Sequence, residues 1–202
     1  MTTATDTTLA VVRTGTANTA SVLAAFRRLG MTPVLLDDAE SLRRAERVVL
    51  PGVGSFAAGR AALDDASLVE VLQERLAADR PTLAVCLGMQ LLCETSEESP
   101  GVPGLGCIPG RVTRFPSTVR SPQLGWSRLE AAPGARLLAD GYVYFAHGYR
   151  LLEAPAGWSP AWSEHGDRFV AAVERGAVLA CQFHPELSGR TGRELLTRWL
   201  EV

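Results

Sequence analysis

Short apolar runs alternate along this chain with longer stretches whose apolar residues recur every three or four positions. Residues 9–13, 33–36, 47–50 and 82–85 have the length and composition of buried strands. Between them, Asn18 is placed to cap a helix running through Leu29, and residues 56–63 and 68–78 show helical spacing. Pro51 and Gly52 stop the third strand. The fourth runs with no linker into a helical pattern over 87–94. Strand–helix alternation of this kind predicts an α/β fold of three layers, α/β/α, with a mostly parallel central sheet. From 99 to 122 the texture changes to Pro and Gly punctuation, followed by strand candidates at 111–114, 141–145, 169–173 and 178–183 and a closing helix over about 190–200. There is no internal repeat, low-complexity linker or break in composition. A single domain over 9–202 is therefore expected behind a frayed Thr-rich tail, residues 1–8.

Composition narrows the chemistry. The 202 residues carry 20 cations against 22 acids, and every cation is Arg. With no Lys anywhere, Schiff-base, P-loop-lysine and lysine-base chemistry are excluded. A net charge of −2 provides no electrostatic footprint for nucleic acid or an anionic membrane. No apolar run reaches transmembrane length, and the N-terminus has no basic region of a targeting peptide. Four cysteines without CxxC spacing then read as reduced thiols in the cytoplasm, with no metal site and no cofactor expected.

Three short motifs carry reactive groups. In Leu83-Ala84-Val85-Cys86-Leu87-Gly88 an apolar strand meets a Cys and passes at once into a helix, as in a nucleophile elbow. A thiol there has a helix N-terminus to lower its pKa and backbone N–H groups to meet an oxyanion, although an isolated Cys is more often plain core. In Gln182-Phe183-His184-Pro185-Glu186 one of the three histidines follows an apolar strand, with a carboxylate two residues on. His184 would serve as base and Glu186 as its orienting partner. Separately, a turn histidine and a solvated carboxylate are the simpler readings. Pro51-Gly52-Val53-Gly54 follows a strand and has the backbone freedom to present N–H groups to an anion, or to make an ordinary βα turn.

Together these motifs resemble the class I, triad-type glutamine amidotransferases, which have a flavodoxin-like fold. Within that family the likeness is to the glutaminase subunits of imidazole glycerol phosphate synthase. Residues 96–99, 104–110, 122–126 and 144–149 extend it, so it spans residues 10–200. The resemblance implies that Cys86 attacks the side-chain amide of L-glutamine, His184 shuttles the proton and Glu186 orients His184. It assigns the oxyanion hole to the Leu87 N–H and an N–H from Val53–Gly54, a segment that must rearrange before the free, nearly idle subunit is active. It places Gly52, Gln90, Glu98, His147 and Tyr149 around the substrate, with Glu98 meeting its α-ammonium group. Tyr144 and position 187 fall on the face of a cyclase subunit with a (β/α)8 barrel, which takes the ammonia to make imidazole glycerol phosphate for histidine biosynthesis.

The sequence departs from the family at that face. The first strand commonly ends Asp-Tyr-Gly-x-Gly-Asn, where this chain has Arg13-Thr14-Gly15-Thr16-Ala17-Asn18. Leu187 stands where a Lys is common. Ala84 and Gly148 are milder changes. Two further readings follow: a diverged glutaminase feeding a different synthase, and a non-catalytic regulatory subunit of the same fold, against which the intact triad speaks.

Overall fold

The computed structural model describes residues 8–13 and 19–202. The expected cap at Asn18, the departures at Thr14 and Ala17, and residues 1–7 of the expected tail lie outside the described residues. Strand β1 (Thr8–Val12) shows how the apolar runs build the sheet. Successive side chains point to opposite faces. Leu9 and Val11 join a core with Phe26 and Trp199, while Ala10 and Val12 join a second core with Leu63 and Leu72. Continuous apolar runs are what a sheet covered on both faces requires. Helices α1 (Thr19–Arg28) and α6 (Gly189–Leu200) cover the first face, Phe26 packing edge-on to Trp199 at 6.0 Å. The other face is covered by α2 (Ala39–Arg44), α3 (Phe56–Asp65), α4 (Val69–Ala77) and α5 (Leu87–Leu92).

Among the described residues the sheet has twelve strands. Its parallel part runs β2 (Thr32–Leu36), β1, β3 (Arg47–Leu50), β4 (Thr82–Val85), β12 (Val178–Cys181). Three neighbours in this order, β3, β4 and β12, deliver the three sequence motifs from their carboxyl ends to one place: residues 51–54, Cys86, and 182–186. This is where open α/β sheets place their sites.

Beyond β12 the sheet continues antiparallel through β11 (Asp167–Arg175), β10 (Ser159–His165), β7 (Gln123–Ala131) and β8 (Gly141–His147). Strands β5 (Cys93–Ser96), β6 (Ile108–Arg114) and β9 (Tyr149–Leu151) branch from it. The expected parallel sheet is thus present, extended by antiparallel strands from the punctuated second half. Among the described residues no helix is long and apolar enough to cross a membrane.

The helix after Cys86 is shorter than its pattern predicts, ending at Leu92 instead of 94. Residues 104–107 explain this. Leu105 and Cys107 donate to the Leu91 and Leu92 carbonyls at 2.8 and 2.9 Å, and Gly106 donates to Cys93 at 3.2 Å. A loop that takes the last carbonyls of a helix stops it. The approach is so close that a Cβ on Gly104 would lie 1.9 Å from the Cys93 oxygen.

At the opposite end of the sheet, Arg75 is buried and donates to Thr82 Oγ1 at 3.0 Å and to the Ala45 and Pro81 carbonyls, both at 2.8 Å. Burial lowers its pKa to about 10. Replacing Arg75 with Met should cost about 3 kcal/mol, because it leaves these acceptors buried and unpaired. Denaturant unfolding measures this, and a loss under about 1 kcal/mol would refute the assignment of Arg75 as the staple of this end.

Candidate active site

Cys86 bridges β4 and α5 at φ 53° and ψ −110°, a left-handed conformation costly for a residue with a Cβ. Main-chain bonds hold it there: its N–H donates to the Cys181 carbonyl at 2.7 Å, and its own carbonyl accepts from Gln90 at 3.2 Å. The sequence-predicted elbow is therefore present, with the sulfur at the mouth of the sheet. Burial pushes the Cys93 and Cys107 thiols up to about 12 and about 11, and raises Cys181 as well. Cys86 alone joins a helix start to an ionisable partner.

That partner is His184. Its Nδ1 lies 2.9 Å from Glu186 Oε1, and its ring is near enough to the Cys86 thiol to feel its charge. Burial of the ring pulls its pKa down, but the Cys86 and Glu186 contacts outweigh it and push the pKa up to about 10. The pair sits on a 3₁₀ turn, Pro185–Leu187, pinned to β8. His184 N–H donates to the Tyr144 carbonyl at 2.9 Å. Ser188 Oγ accepts from the Tyr144 N–H at 3.0 Å and donates to the His184 carbonyl at 2.6 Å. Ser188 was missed by sequence reasoning, since a lone Ser after a motif gives no signal until β8 is placed beside it.

Leu87, an expected oxyanion donor, instead has its N–H on the Gly52 carbonyl at 3.4 Å. The bond is at the long end of the range and inexpensive to break. Gly52 and Leu87 are also in close steric contact, since a Cβ on Gly52 would meet Leu87 Cβ at 2.6 Å. Gly54 adopts φ 103° just before Ser55, whose hydroxyl caps α3. In this conformation the Leu87 N–H is taken by the Gly52 carbonyl.

Four of the five substrate residues expected from the sequence, Gln90, Glu98, His147 and Tyr149, line one cavity of about 200 Å³ together with Val53, Gly54 and Cys86. Glu98 Oε2 accepts the Phe56 N–H at 2.6 Å, at the start of α3. Gln90 Nε2 donates to Gln182 Oε1 at 2.9 Å and to the Tyr149 carbonyl at 3.3 Å. His147 is packed among Phe115, Phe145 and Phe169, its Nδ1 2.7 Å from the Tyr149 carbonyl, and burial lowers its pKa to about 3. It is neutral, with its Nδ1–H fixed as a donor. The Tyr149 hydroxyl accepts from Arg114 at 2.6 Å.

Gly52 lies in an adjoining cavity of about 190 Å³, with Val53, His184, Glu186 and Leu187. Leu187 at its edge is 43% exposed, and Leu124, Trp126 and Tyr142 on β7 and β8 are exposed apolar side chains at 63%, 55% and 62%. Tyr144 packs edge-on to Trp126 at 6.0 Å. Among the described residues there is no cluster of three or more His, Cys, Asp or Glu side chains able to hold a metal ion.

This fold and this site define a class. The family model described as glutamine amidotransferase class-I matches residues 10–201, and the chain belongs to that family. Imidazole glycerol phosphate synthase subunit HisH of Exiguobacterium sibiricum is 41% identical over 194 residues, covering 96% of this chain and 95% of that protein. Imidazole glycerol phosphate synthase hisHF, chloroplastic, of Arabidopsis thaliana is 36% identical, covering 96% of this chain and 34% of that longer protein. These identities and coverages place the chain in the HisH branch of the family. A crystal structure described as glutamine amidotransferase aligns with a TM-score of 0.77 at 21% identity, covering 95% of this chain and 97% of that one, a likeness in fold.

Proposed function

We propose that this chain is the glutaminase subunit of an imidazole glycerol phosphate synthase, hydrolysing L-glutamine on Cys86 and passing the ammonia to a cyclase subunit in the cytoplasm. The observation that carries this reading is the Cys86 elbow facing His184, itself held by Glu186. The Cys86 thiolate attacks the glutamine amide carbon, and the imidazolium of His184 gives its proton to the departing nitrogen. This releases ammonia and leaves a γ-glutamyl thioester. His184 then takes a proton from water, whose oxygen attacks the thioester, and glutamate leaves as the thiolate returns. Glu186 keeps the imidazole in the productive tautomer. Glu98 receives the α-ammonium group through a charge-assisted contact.

Both tetrahedral intermediates need donors for their oxyanion. The Leu87 N–H must leave the Gly52 carbonyl to supply one, and a turn of Val53–Gly54 supplies the other. In this reading the cyclase, a (β/α)8 barrel, covers Trp126, Tyr142, Tyr144 and Leu187 and favours that rearrangement. An exposed apolar cluster bordering the site is what such an interface needs.

The experiment is to mix the chain with a histidine-pathway cyclase subunit and follow glutamine hydrolysis and imidazole glycerol phosphate. The expected results are a stable complex and glutaminase activity raised at least about a hundredfold, equivalent to roughly 3 kcal/mol of barrier. Leu187, an apolar residue at the expected lysine position, favours a second reading in which a different synthase receives the ammonia. Absence of a complex with the cyclase, with the glutaminase still inducible by another synthase, would overturn the histidine assignment.

A further inference from the structure

One buried amide beside the nucleophile has no role in the steps above. Gln182 is 1% exposed, and its Nε2 lies 3.6 Å from Cys86 Sγ. Its Oε1 accepts from Gln90 Nε2, which also donates to the Tyr149 carbonyl. The direction of this chain follows from its far end. A main-chain carbonyl only accepts, so the Gln90 atom facing Tyr149 is its NH2. The other hydrogen of that NH2 then meets Gln182, whose facing atom must be Oε1. The NH2 of Gln182 is left facing the sulfur. The terminal carbonyl is itself fixed, because it also accepts the Nδ1–H of neutral His147 at 2.7 Å and lies in β9, where Tyr149 pairs with Arg114 of β6.

We propose that Gln182, oriented by Gln90 and the Tyr149 carbonyl, is a donor to the Cys86 sulfur that stabilises its thiolate and aims it into the substrate cavity. The proposal rests on the reading of Cys86 as nucleophile. Its chemical value lies in constancy. His184 loses its proton to the leaving nitrogen and cannot serve the sulfur as a cation throughout. An amide transfers no proton, so Gln182 donates equally when the thiolate attacks and when it departs from the second tetrahedral intermediate. A hydrogen bond to a charged acceptor is stronger than one between neutral groups, and its loss should raise the thiol pKa by about one unit.

The test measures the pH dependence of iodoacetamide alkylation at Cys86, followed on its own peptide by mass spectrometry, in the complete chain without glutamine. Gln182→Met keeps the shape and removes the donor. Gln182→Glu still accepts from Gln90 but places a carboxylate against the sulfur. Gln90→Leu leaves Gln182 in place without its orienting partner. The expected titration midpoint rises by about one unit in Gln182→Met, further in Gln182→Glu and by a smaller amount in Gln90→Leu. In the cyclase complex, kcat of Gln182→Met falls about tenfold with KM little changed.

A residue that merely fills the core would leave the midpoint where it is. Folded Gln182 variants whose midpoints stay within about 0.3 unit of the wild type overturn the proposal. Should Gln182→Met not fold, Gln182→Glu and Gln90→Leu make the same measurement. The two readings separate cleanly. If Cys86→Ala kept full glutaminase activity while the midpoint still moved in the Gln182 variants, the nucleophile would be wrong and the donor right. If Cys86→Ala were inactive and the midpoint stationary, the donor alone would fail.

Discussion

Alanine at Cys86 lowers kcat for glutamine hydrolysis in the cyclase complex by at least about ten-thousandfold, while the complex still forms and still uses added ammonium salt. The size follows from the thioester route, since removing a nucleophile removes the whole covalent path and not one contact within it. The fold should survive. Ala fits the same left-handed position, and the main-chain bonds from Cys86 to Cys181 and from Gln90 to Cys86 remain. A glutaminase rate within tenfold of the wild type, after repurification, would falsify the assignment.

The same variant carries a second readout. Burial alone lowers the His184 pKa, and the Cys86 and Glu186 contacts together hold it near 10 in place of the usual 6.5. Taking away the sulfur should bring the imidazole midpoint down, measurable by NMR. The sign for stability follows. His184 binds its proton more tightly in the folded chain than in the unfolded one. Its contribution is therefore complete below about pH 6.5 and is lost as the pH rises through about 10. Unfolding free energies measured at pH 7, 8.5 and 10 should decline across that window in the wild type. In Cys86→Ala the decline should be shallower.

What the sequence made legible was the part where pattern and role agree. Buried parallel strands read as unbroken apolar runs, and Cys86, His184 and Glu186 stand at their carboxyl ends, so β3, β4, β12 and these three side chains were visible together. Strand β7 was not legible, because its pattern is inverted. Gln123, Gly125 and Ser127 point inward, Gln123 Nε2 bonding Ser127 Oγ at 2.9 Å, while Leu124 and Trp126 point out to solvent. Alternation marks a strand only when the apolar side is the buried one. The exposed apolar face that marks a docking surface is the same feature that conceals the strand. In β10, Pro160 and the polar Ser159, Ser163 and Glu164 mask the pattern in a different way.

Within the site, side-chain identity was readable and connectivity was not. Gln182 was visible as a neighbour of His184, but its amide reaches Cys86 only because β12 lies beside β4, with Cys181 opposite Val85. The resting position of the oxyanion segment was equally hidden. It involves a main-chain bond, Leu87 to Gly52, which no residue type encodes.

Gly88→Ala is expected to be strongly destabilising, costing more than about 4 kcal/mol. A Cβ on Gly88 would sit 2.1 Å from the Leu50 carbonyl oxygen and 3.1 Å from its carbon. Neither side can yield easily. Leu50 ends β3, which is held between β1 and β4 with Leu50 opposite Ala84, and Gly88 is in the first turn of α5 with its position fixed by the Cys86 elbow. Relief requires tilting α5 away from β3. That tilt would also separate Leu87 from Gly52 and turn the Cys86 sulfur out of its cavity, so any folded fraction should be impaired as a glutaminase. Gly148→Ala is the contrast: its Cβ meets only Ser121 Oγ, at an ordinary 3.4 Å, and stability should change by less than about 1 kcal/mol. Equal denaturation midpoints for the two variants would show that the elbow tolerates a side chain at its second helical residue. The close approach of β3 to α5 would then not be what holds the nucleophile in place.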